Sequence, residues 1–600
     1  MAVSNRPDNN GVSAPSNRRN RPDARRDTPD SASVLRWFNF GGDKQPLRFI
    51  QHVFFFLFCI LTIRFIWVQL IDAPRIRQEG QVQRLSEHVL YAKRGRILDR
   101  NGNVLAMSVD CKAVCVNPSQ INTPYAYAKM FAHYLGGDPE TYVKKIKSGK
   151  TFAYIDRQVP MEKANQLMDY VVKKQLSGVY TEYSSMRQYP YGATGCQVLG
   201  RVDLDGKGVS GLELQYDKIL SGKNGTQAIE IGKNGVPIAG GIHKVEPARN
   251  GTDIVVSLDI NTQQMAEANI SSAVKEYEAD SGSVMVTDPH TGEVLALCST
   301  PLADFSSGHF DPVSLQLKPI SNSYEPGSIF KVLTMAIALE DKVLTPETSL
   351  TVPPTYKLGT ATVSDDDQRG YTMEMTPGEI LRRSSNVGAL LVGRRIGTEK
   401  FYDGIQNFGI GQRTGIDFPG EVKGLVAPKD QWDITRVSFA AFGQGIAMPM
   451  VQMVRAVGAI ANEGVMTTPH FLIAKGDAMA NWPAGQRVCS KRTAEEVTSM
   501  MRLVVNRGTA ENAQVKGFDI AGKTGTGEMA SETGGYQAHK YMSSLIGFGN
   551  AENPDVLVYV GLNGTPYLAH GSVANTFSQI MREALVDMGT KPYSTENSNG

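Results

Sequence analysis

Three short strings, in chain order, bring together residue types that can do chemistry: Ser328-Ile329-Phe330-Lys331, Ser384-Ser385-Asn386 and Lys523-Thr524-Gly525. They supply a hydroxyl with an amine three residues on, a second hydroxyl with an amide, and a cation beside a hydroxyl and a glycine. That set suits acyl transfer through a serine ester, with lysine rather than histidine taking the proton.

Each string has a local logic. Ser328 follows the turn-forming Glu325-Pro326-Gly327 and leads into an apolar run to Glu340, which predicts a buried helix. Ser328 then stands at a helix N-terminus, where unpaired N–H groups and the dipole favour developing negative charge. Lys331 shares its face, and a lysine held in an apolar site can lose its proton and act as a base. Composition alone yields about two Ser-x-x-Lys matches in a chain this long, so the turn and the helix carry the argument.

Ser384-Ser385-Asn386 reads equally well as helix capping. Its functional reading has Ser384 relaying a proton near Lys331, and Asn386 donating to a substrate carbonyl and to Lys331. Phe518–Thr526 predicts a strand edging a cleft. Gly525 would let a ligand approach the backbone, and Lys523, Thr524 and Thr526 would form a carboxylate-binding corner. Chance gives Lys-Thr-Gly only about 0.2 times in a chain this long.

The rest of the chain must position these residues. Six hundred residues exceed one core, so two or more domains are expected. A net charge of +2 with 20% charged residues argues against a nucleic-acid partner. The first 48 residues carry nine Lys/Arg against five Asp and few large apolar side chains, which predicts a disordered basic tail over 1–48. Residues 49–71 read as a membrane anchor. Val53–Ile71 at about 1.5 Å per residue nearly crosses a hydrocarbon core, with Arg64 snorkelling or facing a partner helix. Ala73-Pro74-Arg75 is a poor cleavage site, so the anchor is expected to stay. The basic tail then lies in the cytoplasm and everything beyond residue 72 outside it.

Residues 72–250 predict a strand- and turn-rich pedestal with a helical stretch near 160–174, punctuated by Gly222–Gly225 and Gly232–Gly235. The cluster Arg94, Arg96, Asp99 and Arg100 reads as a salt-bridged knot between pedestal and catalytic domain, with Glu213 a partner for one arginine. Residues 251–590 predict an α+β domain. It has a helix over 262–277, a hairpin 283–288 with 294–297, and mostly helix from 331 to 510. Strands follow at 520–526, 543–549 and 556–562, then a helix over 573–588. Residues 591–600 read as a second disordered tail. Cys111 and Cys115 lie too far apart along a strand for a disulfide, and the outer cysteines read as buried thiols. No metal-ligand spacing occurs.

Taken together, the chain resembles a class B penicillin-binding protein, a membrane-anchored peptidoglycan DD-transpeptidase of the division and sporulation type. The likeness covers about residues 50–590. It includes Arg94-Gly95-Arg96-Ile97-Leu98-Asp99-Arg100-Asn101-Gly102, Gly211–Asp217, and Phe442-Gly443-Gln444-Gly445 followed by Pro449. Departures are Ser385 where relatives can carry Asp, Met448 where Thr is common, and the lack of the usual Pro in His570–Phe577.

The resemblance implies a multidomain α+β protein: one N-terminal membrane helix, a strand-rich pedestal of the dimerisation type, and a transpeptidase domain with an antiparallel sheet flanked by helices. It implies that Ser328 attacks the penultimate D-Ala carbonyl of a D-Ala-D-Ala stem, with Lys331 as base, Ser384 as relay and Asn386 orienting the donor. Lys523, Thr524 and Thr526 would hold the terminal carboxylate at a strand edge opened by Gly525, and the N–H groups of Ser328 and Thr526 would form an oxyanion hole. It implies stem peptides and β-lactams as ligands, no metal or organic cofactor, and a SEDS-type glycosyltransferase and other division membrane proteins as partners. A β-lactam sensor or β-lactamase would carry the same strings, but a sensor needs more spans and a β-lactamase has no use for the pedestal. A division scaffold would have no need of the intact trio.

Overall fold

The computed structural model describes residues 45–76, 85–232, 238–305, 311–530, 536–566 and 572–593. Most of both expected tails lies outside them, as do 233–235 of the Gly232–Gly235 turn and His570-Gly571.

The chain divides into two units, residues 1–86 with 228–243, and residues 87–227 with 244–600. In the first, the helix Gln45–Ile66 continues into a π-helical turn, Trp67–Ile71. The stretch Leu47–Ile71 is 25 residues long, apolar and 0% buried. At about 1.5 Å per residue it reaches roughly 37 Å, enough to cross a hydrocarbon core of about 30 Å. The Thr62 hydroxyl donates to the Phe58 carbonyl at 2.7 Å, which satisfies it within the helix. The helix is a candidate single-pass anchor.

In the second unit, a mixed sheet runs in the order 478–479, 472–475, 254–256, 97–98, 104–116 and 153–160, with 179–188 also paired to 104–116. Ile97–Leu98 lies parallel to Ile254–Val256; the other pairs are antiparallel. Val114, Val116, Ala153, Ile155 and Val179 form a small core with Phe131 and Leu167. These last two come from helices Pro124–Leu135 and Met161–Lys173, and Pro139–Ser148 adds Tyr142 and Ile146. Only the helix near 160–174 was legible. The other two start at Thr123-Pro124 and Asp138-Pro139, proline placements that suit a first helical turn.

The arginine cluster forms the expected knot. Arg94 Nε lies 2.6 Å from Glu213 Oε2, Arg94 Nη1 lies 2.6 Å from Asp217, and Arg187 Nε lies 2.7 Å from Glu213 Oε1. Arg96 pairs with Asp253 at 2.7 Å and Arg100 with Glu293 at 3.5 Å. Asp99 accepts from the backbone N–H groups of Asn101 and Asn103 and so closes the turn between two strands. Cys111, Cys115, Cys196, Cys298 and Cys489 are buried free thiols.

The element that positions the three strings is a five-stranded antiparallel sheet, ordered Val294–Ser299, Ser281–Thr287, Val556–Thr565, Tyr536–Gly549, Ile520–Ala530. Val556–Val560 is buried without alternation, as a central strand covered on both faces requires. Helices Ile260–Glu276 and Ser572–Asp587 pack on the sheet together, while Met450–Ala461 and Lys491–Arg507 also pack on its strands. The stretch from 331 to 510 is less helical than expected. It contains strands at 350–352, 373–375, 465–466, 472–475, 478–479 and 486–487, and the hairpin Thr355–Leu358 with Ala361–Ser364. This hairpin matters, because its second strand ends at the site.

Candidate active site

The Pro326-Gly327 turn delivers Ser328 on a 3-10 turn, Gly327–Phe330, which runs into helix Lys331–Glu340. Gly327 has φ +57°, and a Cβ there would stand 2.7 Å from the Thr526 carbonyl oxygen, so the turn accepts only glycine. Lys331 to Leu339 are all buried. A helix apolar all round belongs in a core, and Lys331 is carried into it at 0% exposure. Its Nζ lies 2.5 Å from the Ser384 carbonyl oxygen, 2.7 Å from Asn386 Oδ1, 2.9 Å from Ser328 Oγ and 3.3 Å from Ser384 Oγ.

That geometry suits a neutral amine. The two carbonyl oxygens can only accept, so they take both N–H groups of an uncharged –NH2, and its lone pair is left to receive the Ser328 hydroxyl proton. Burial pushes the Lys331 ammonium down to about 7, with Asp366 and Asp365 pulling the other way.

Ser384 joins helices Pro377–Arg383 and Asn386–Ile396 in the left-handed region, at φ +59°. A serine there costs about 1–2 kcal/mol, and the conformation turns both its carbonyl and its hydroxyl toward Lys331. Ser385 does the capping that the plain reading assigned to the string. Its Oγ accepts from Gly388 N at 2.9 Å and donates to Asp365 Oδ2 at 2.7 Å. Asn386 differs from expectation. Its amide oxygen, not its N–H, faces Lys331, because its Nδ2 gives one N–H to the Ser364 carbonyl at 3.1 Å, with the second N–H left over.

Lys523, Thr524, Gly525 and Thr526 lie on the edge strand Ile520–Ala530. Lys523 is 0% exposed, and its Nζ donates to the Thr524 carbonyl at 2.7 Å and to Ser384 Oγ at 2.9 Å. Burial first, and then the nearby Lys331, push its ammonium well below the ordinary lysine value. Thr524 Oγ1 meets Thr509 Oγ1 at 2.7 Å. A Cβ at Gly525 would stand 2.7 Å from Ile329 Cγ1 and 2.5 Å from Ser544 Oγ. What the glycine admits is therefore the nucleophile's own turn rather than a ligand. Thr526, with Ser328, Asn386, Glu325, Asp366 and Gln444, lines a cleft of about 460 Å³.

The three strings thus meet around one pair of lysines, with Ser384 between them. A family model for the penicillin binding protein transpeptidase domain matches residues 282–582, and one for the penicillin-binding protein dimerisation domain matches 89–256. The chain belongs to the penicillin-binding protein transpeptidases. It is 30% identical over 573 residues to the penicillin-binding protein PbpB of Mycolicibacterium smegmatis, covering 88% of each chain. It is 28% identical over 560 residues to the peptidoglycan D,D-transpeptidase FtsI of Buchnera aphidicola, covering 91% of this chain and 95% of that one. Among solved structures it is similar to penicillin binding protein 3 of Mycobacterium tuberculosis complexed with ampicillin. The TM-score is 0.66 at 27% identity, over 85% of this chain and 98% of the other.

Two parts of this transpeptidase site escaped the sequence reading. Asp365 Oδ1 accepts from Val387 N at 2.9 Å, Oδ2 takes the Ser385 hydroxyl, and Arg369 pairs with the same carboxylate. Asp365 therefore braces the Ser384 turn from below. In the sequence, Asp365-Asp366-Asp367-Gln368-Arg369 reads as a solvated charge run, and only the hairpin before it brings it inward. The second is the role of Gly443, which the sequence offers only within the Phe442–Gly445 stretch; its carbonyl accepts from Gly327 N at 3.1 Å. A Cβ at Gly443 would stand 2.2 Å from the Gly327 oxygen, so two glycines let the nucleophile turn seat closely.

Proposed function

We propose that this chain is a serine-type peptidoglycan D,D-transpeptidase that cross-links stem peptides ending in D-Ala-D-Ala and is acylated by β-lactams. The observation that carries this reading is the buried Lys331 amine, 2.9 Å from Ser328 Oγ and within reach of Ser384. The relatives' names and the ampicillin complex of the M. tuberculosis neighbour support it.

In this reading Lys331 takes the Ser328 proton as Oγ bonds to the penultimate D-Ala carbonyl. The N–H groups of Ser328 and Thr526 receive the oxyanion. Ser384 hands a proton from Lys331 to the departing D-Ala nitrogen as the C–N bond breaks. Asn386 orients both Lys331 and the donor. Thr526 meets the terminal carboxylate at the cleft wall, with Thr524 and Lys523 behind it and Gly525 holding the strand against Ile329. A β-lactam carbonyl takes the place of the donor carbonyl.

Lys331 works as a base only when neutral, and its value lies at about 7. The acylation rate should therefore fall as pH drops through about 7 and level off above it. D-Alanine released from a D-Ala-D-Ala peptide, read across pH 5 to 9 with and without penicillin, tests this. A rate flat across pH 5 to 8, or release that penicillin leaves unchanged, would sink the reading.

We propose that Leu47–Ile71 is a single-pass membrane anchor, that the N-terminus is cytoplasmic and the catalytic domain extracytoplasmic, and, from the family resemblance alone, that a SEDS-type glycosyltransferase and other division proteins are membrane neighbours. Eight basic residues precede Leu47. Protease added outside intact spheroplasts should digest the catalytic domain, and its protection would refute the orientation. Detergent co-purification of the SEDS polymerase tests the pairing, and its absence from the purified membrane complex would count against it.

A further inference from the structure

The strand Ala361–Ser364 leads into three consecutive acids, Asp365-Asp366-Asp367, and two of them are spent on arginines. Arg369 pairs with Asp365 and, at 3.2 Å, with Asp367, and Arg383 reaches Asp367 at 3.2 Å. Asp366 is different. It is exposed, lines the cleft with Ser328, Asn386 and Thr526, and makes no hydrogen bond and no ion pair among the described residues. An unpaired carboxylate is a poor lining for a cleft whose donor brings a carboxylate of its own, because like charges repel.

The amines behind the cleft wall explain it. Lys331 and Lys523 are both 0% exposed and share the Ser384 hydroxyl, at 3.3 and 2.9 Å. Burial pushes both ammonium groups down, and at Lys523 the charge of Lys331 adds to it. Asp366 pulls against that at both lysines, ahead of Asp365 at Lys331. Its place is fixed by its neighbours. Ser364 accepts from Asn386 Nδ2 at 3.1 Å, and Asp365 accepts from Ser385 Oγ at 2.7 Å and Val387 N at 2.9 Å. These bonds hold the chain at Asp366 against the Ser384 turn. We propose that Asp366 is a positioning residue for acylation, the counter-charge that helps the Lys331–Lys523 pair to hold the proton taken from Ser328. The proposal rests on the transpeptidase reading and adds a residue that acts through the base.

The other charges near Lys331 are engaged. Glu325, at the turn before Ser328, accepts from Gly445 N at 2.9 Å. On helix Pro377–Arg383, Glu379 holds Arg382 and Arg383. Arg394 and Arg395 stand in the last turn of helix Asn386–Ile396, far from its Asn386 end. On the remaining helices packed against that of Lys331, Arg502 holds Asp519, Lys491 holds Glu463, Asp403 holds Lys429, and Arg455 bonds the Thr467 carbonyl. Tyr541 lines the cleft as a phenol.

The proton balance is simple. As Oγ bonds to the carbonyl carbon, its proton passes to the Lys331 amine, and the pair gains one positive charge. Asp366 takes no proton and stabilises that charge across the cleft wall. Removing its charge therefore has two opposite effects. Lys331 becomes neutral at a lower pH, and it becomes a weaker base.

The test measures the limiting acylation rate of the full chain in detergent at saturating fluorescent penicillin, from pH 5 to 9, so that ligand affinity does not enter. Asp366→Asn should move the acid limb down by roughly 0.3–1 unit and lower the plateau about twofold, so that its profile crosses that of wild type. Asp366→Ala should behave alike, and Asp366→Glu should keep the wild-type limb. In 1 M NaCl, where screening acts within about 3 Å, the gap between wild type and Asp366→Asn should shrink. A limb that does not move, a rate lowered by one factor at every pH, or a gap that salt leaves whole would overturn the proposal. Intact mass in the same samples keeps the two readings apart. No adduct at Ser328 in wild type refutes the transpeptidase reading, whereas an adduct formed with an unmoved limb in Asp366→Asn refutes this inference alone.

Discussion

Lys331→Met is expected to lower acylation by a fluorescent penicillin about 10⁴-fold or more, since a base that also activates the nucleophile contributes at least the upper range of general-base effects. The amine is the only basic group within hydrogen-bond distance of Ser328 Oγ among the described residues, and no histidine lines the cleft. Methionine has a similar length and is apolar, so it suits a site with 0% exposure and removes the cost of burying a polar amine. The Ser384 carbonyl and Asn386 Oδ1, both on half-buried residues, lose their donor, which costs about 0.5–1.5 kcal/mol for each bond. Melting should therefore fall modestly while acylation collapses. Stopped-flow acylation beside thermal melting checks both, and acylation within tenfold of wild type would mean that another base serves Ser328.

Ser384→Ala should cost about 10²–10³ in the same rate, the share of a positioned proton relay. Its hydroxyl stands 3.3 Å from Lys331 Nζ and 2.9 Å from Lys523 Nζ, and among the described residues no other side-chain hydroxyl is within hydrogen-bond distance of both. The backbone offers a control. Ser384 sits at φ +59°, where glycine is at ease, so Ser384→Gly should relieve about 1 kcal/mol of strain while removing the same hydroxyl. If both variants are equally slow and only the glycine form gains stability, the loss belongs to the hydroxyl. A glycine variant as fast as wild type would assign the effect to backbone strain and remove Ser384 from the relay.

What was legible in the sequence was what depends on short range. Ser328 and Lys331 lie three apart on a turn leading into an apolar run, and helix geometry alone brings them together. The strands of the main sheet and the helices on it follow from unbroken apolar runs such as Val556–Val560, and Glu213 was traceable because a buried arginine knot demands an acid. What escaped was set at long range. Asp365 looks solvated until a hairpin folds it under Ser385, and Asn386 turns its oxygen to Lys331 because Ser364, from that same hairpin, claims its N–H. Gly525 was read as room for a ligand. The space is taken by Ile329, from a segment almost 200 residues away in the chain. Lys523 was read as a cation facing the carboxylate, yet its Nζ is buried against Ser384, and Thr526 is the member of that string on the cleft wall with Gly527 beside it. In each case strand pairing or loop docking decided the orientation, and neither is written in local spacing.

The most direct test is the site of covalent capture. The full chain incubated with penicillin should gain one drug mass, and peptide mapping should place it on Ser328, with none on Ser328→Ala. An adduct on another residue, or one that forms unchanged on Ser328→Ala, would contradict the assignment of the nucleophile on which every other role depends.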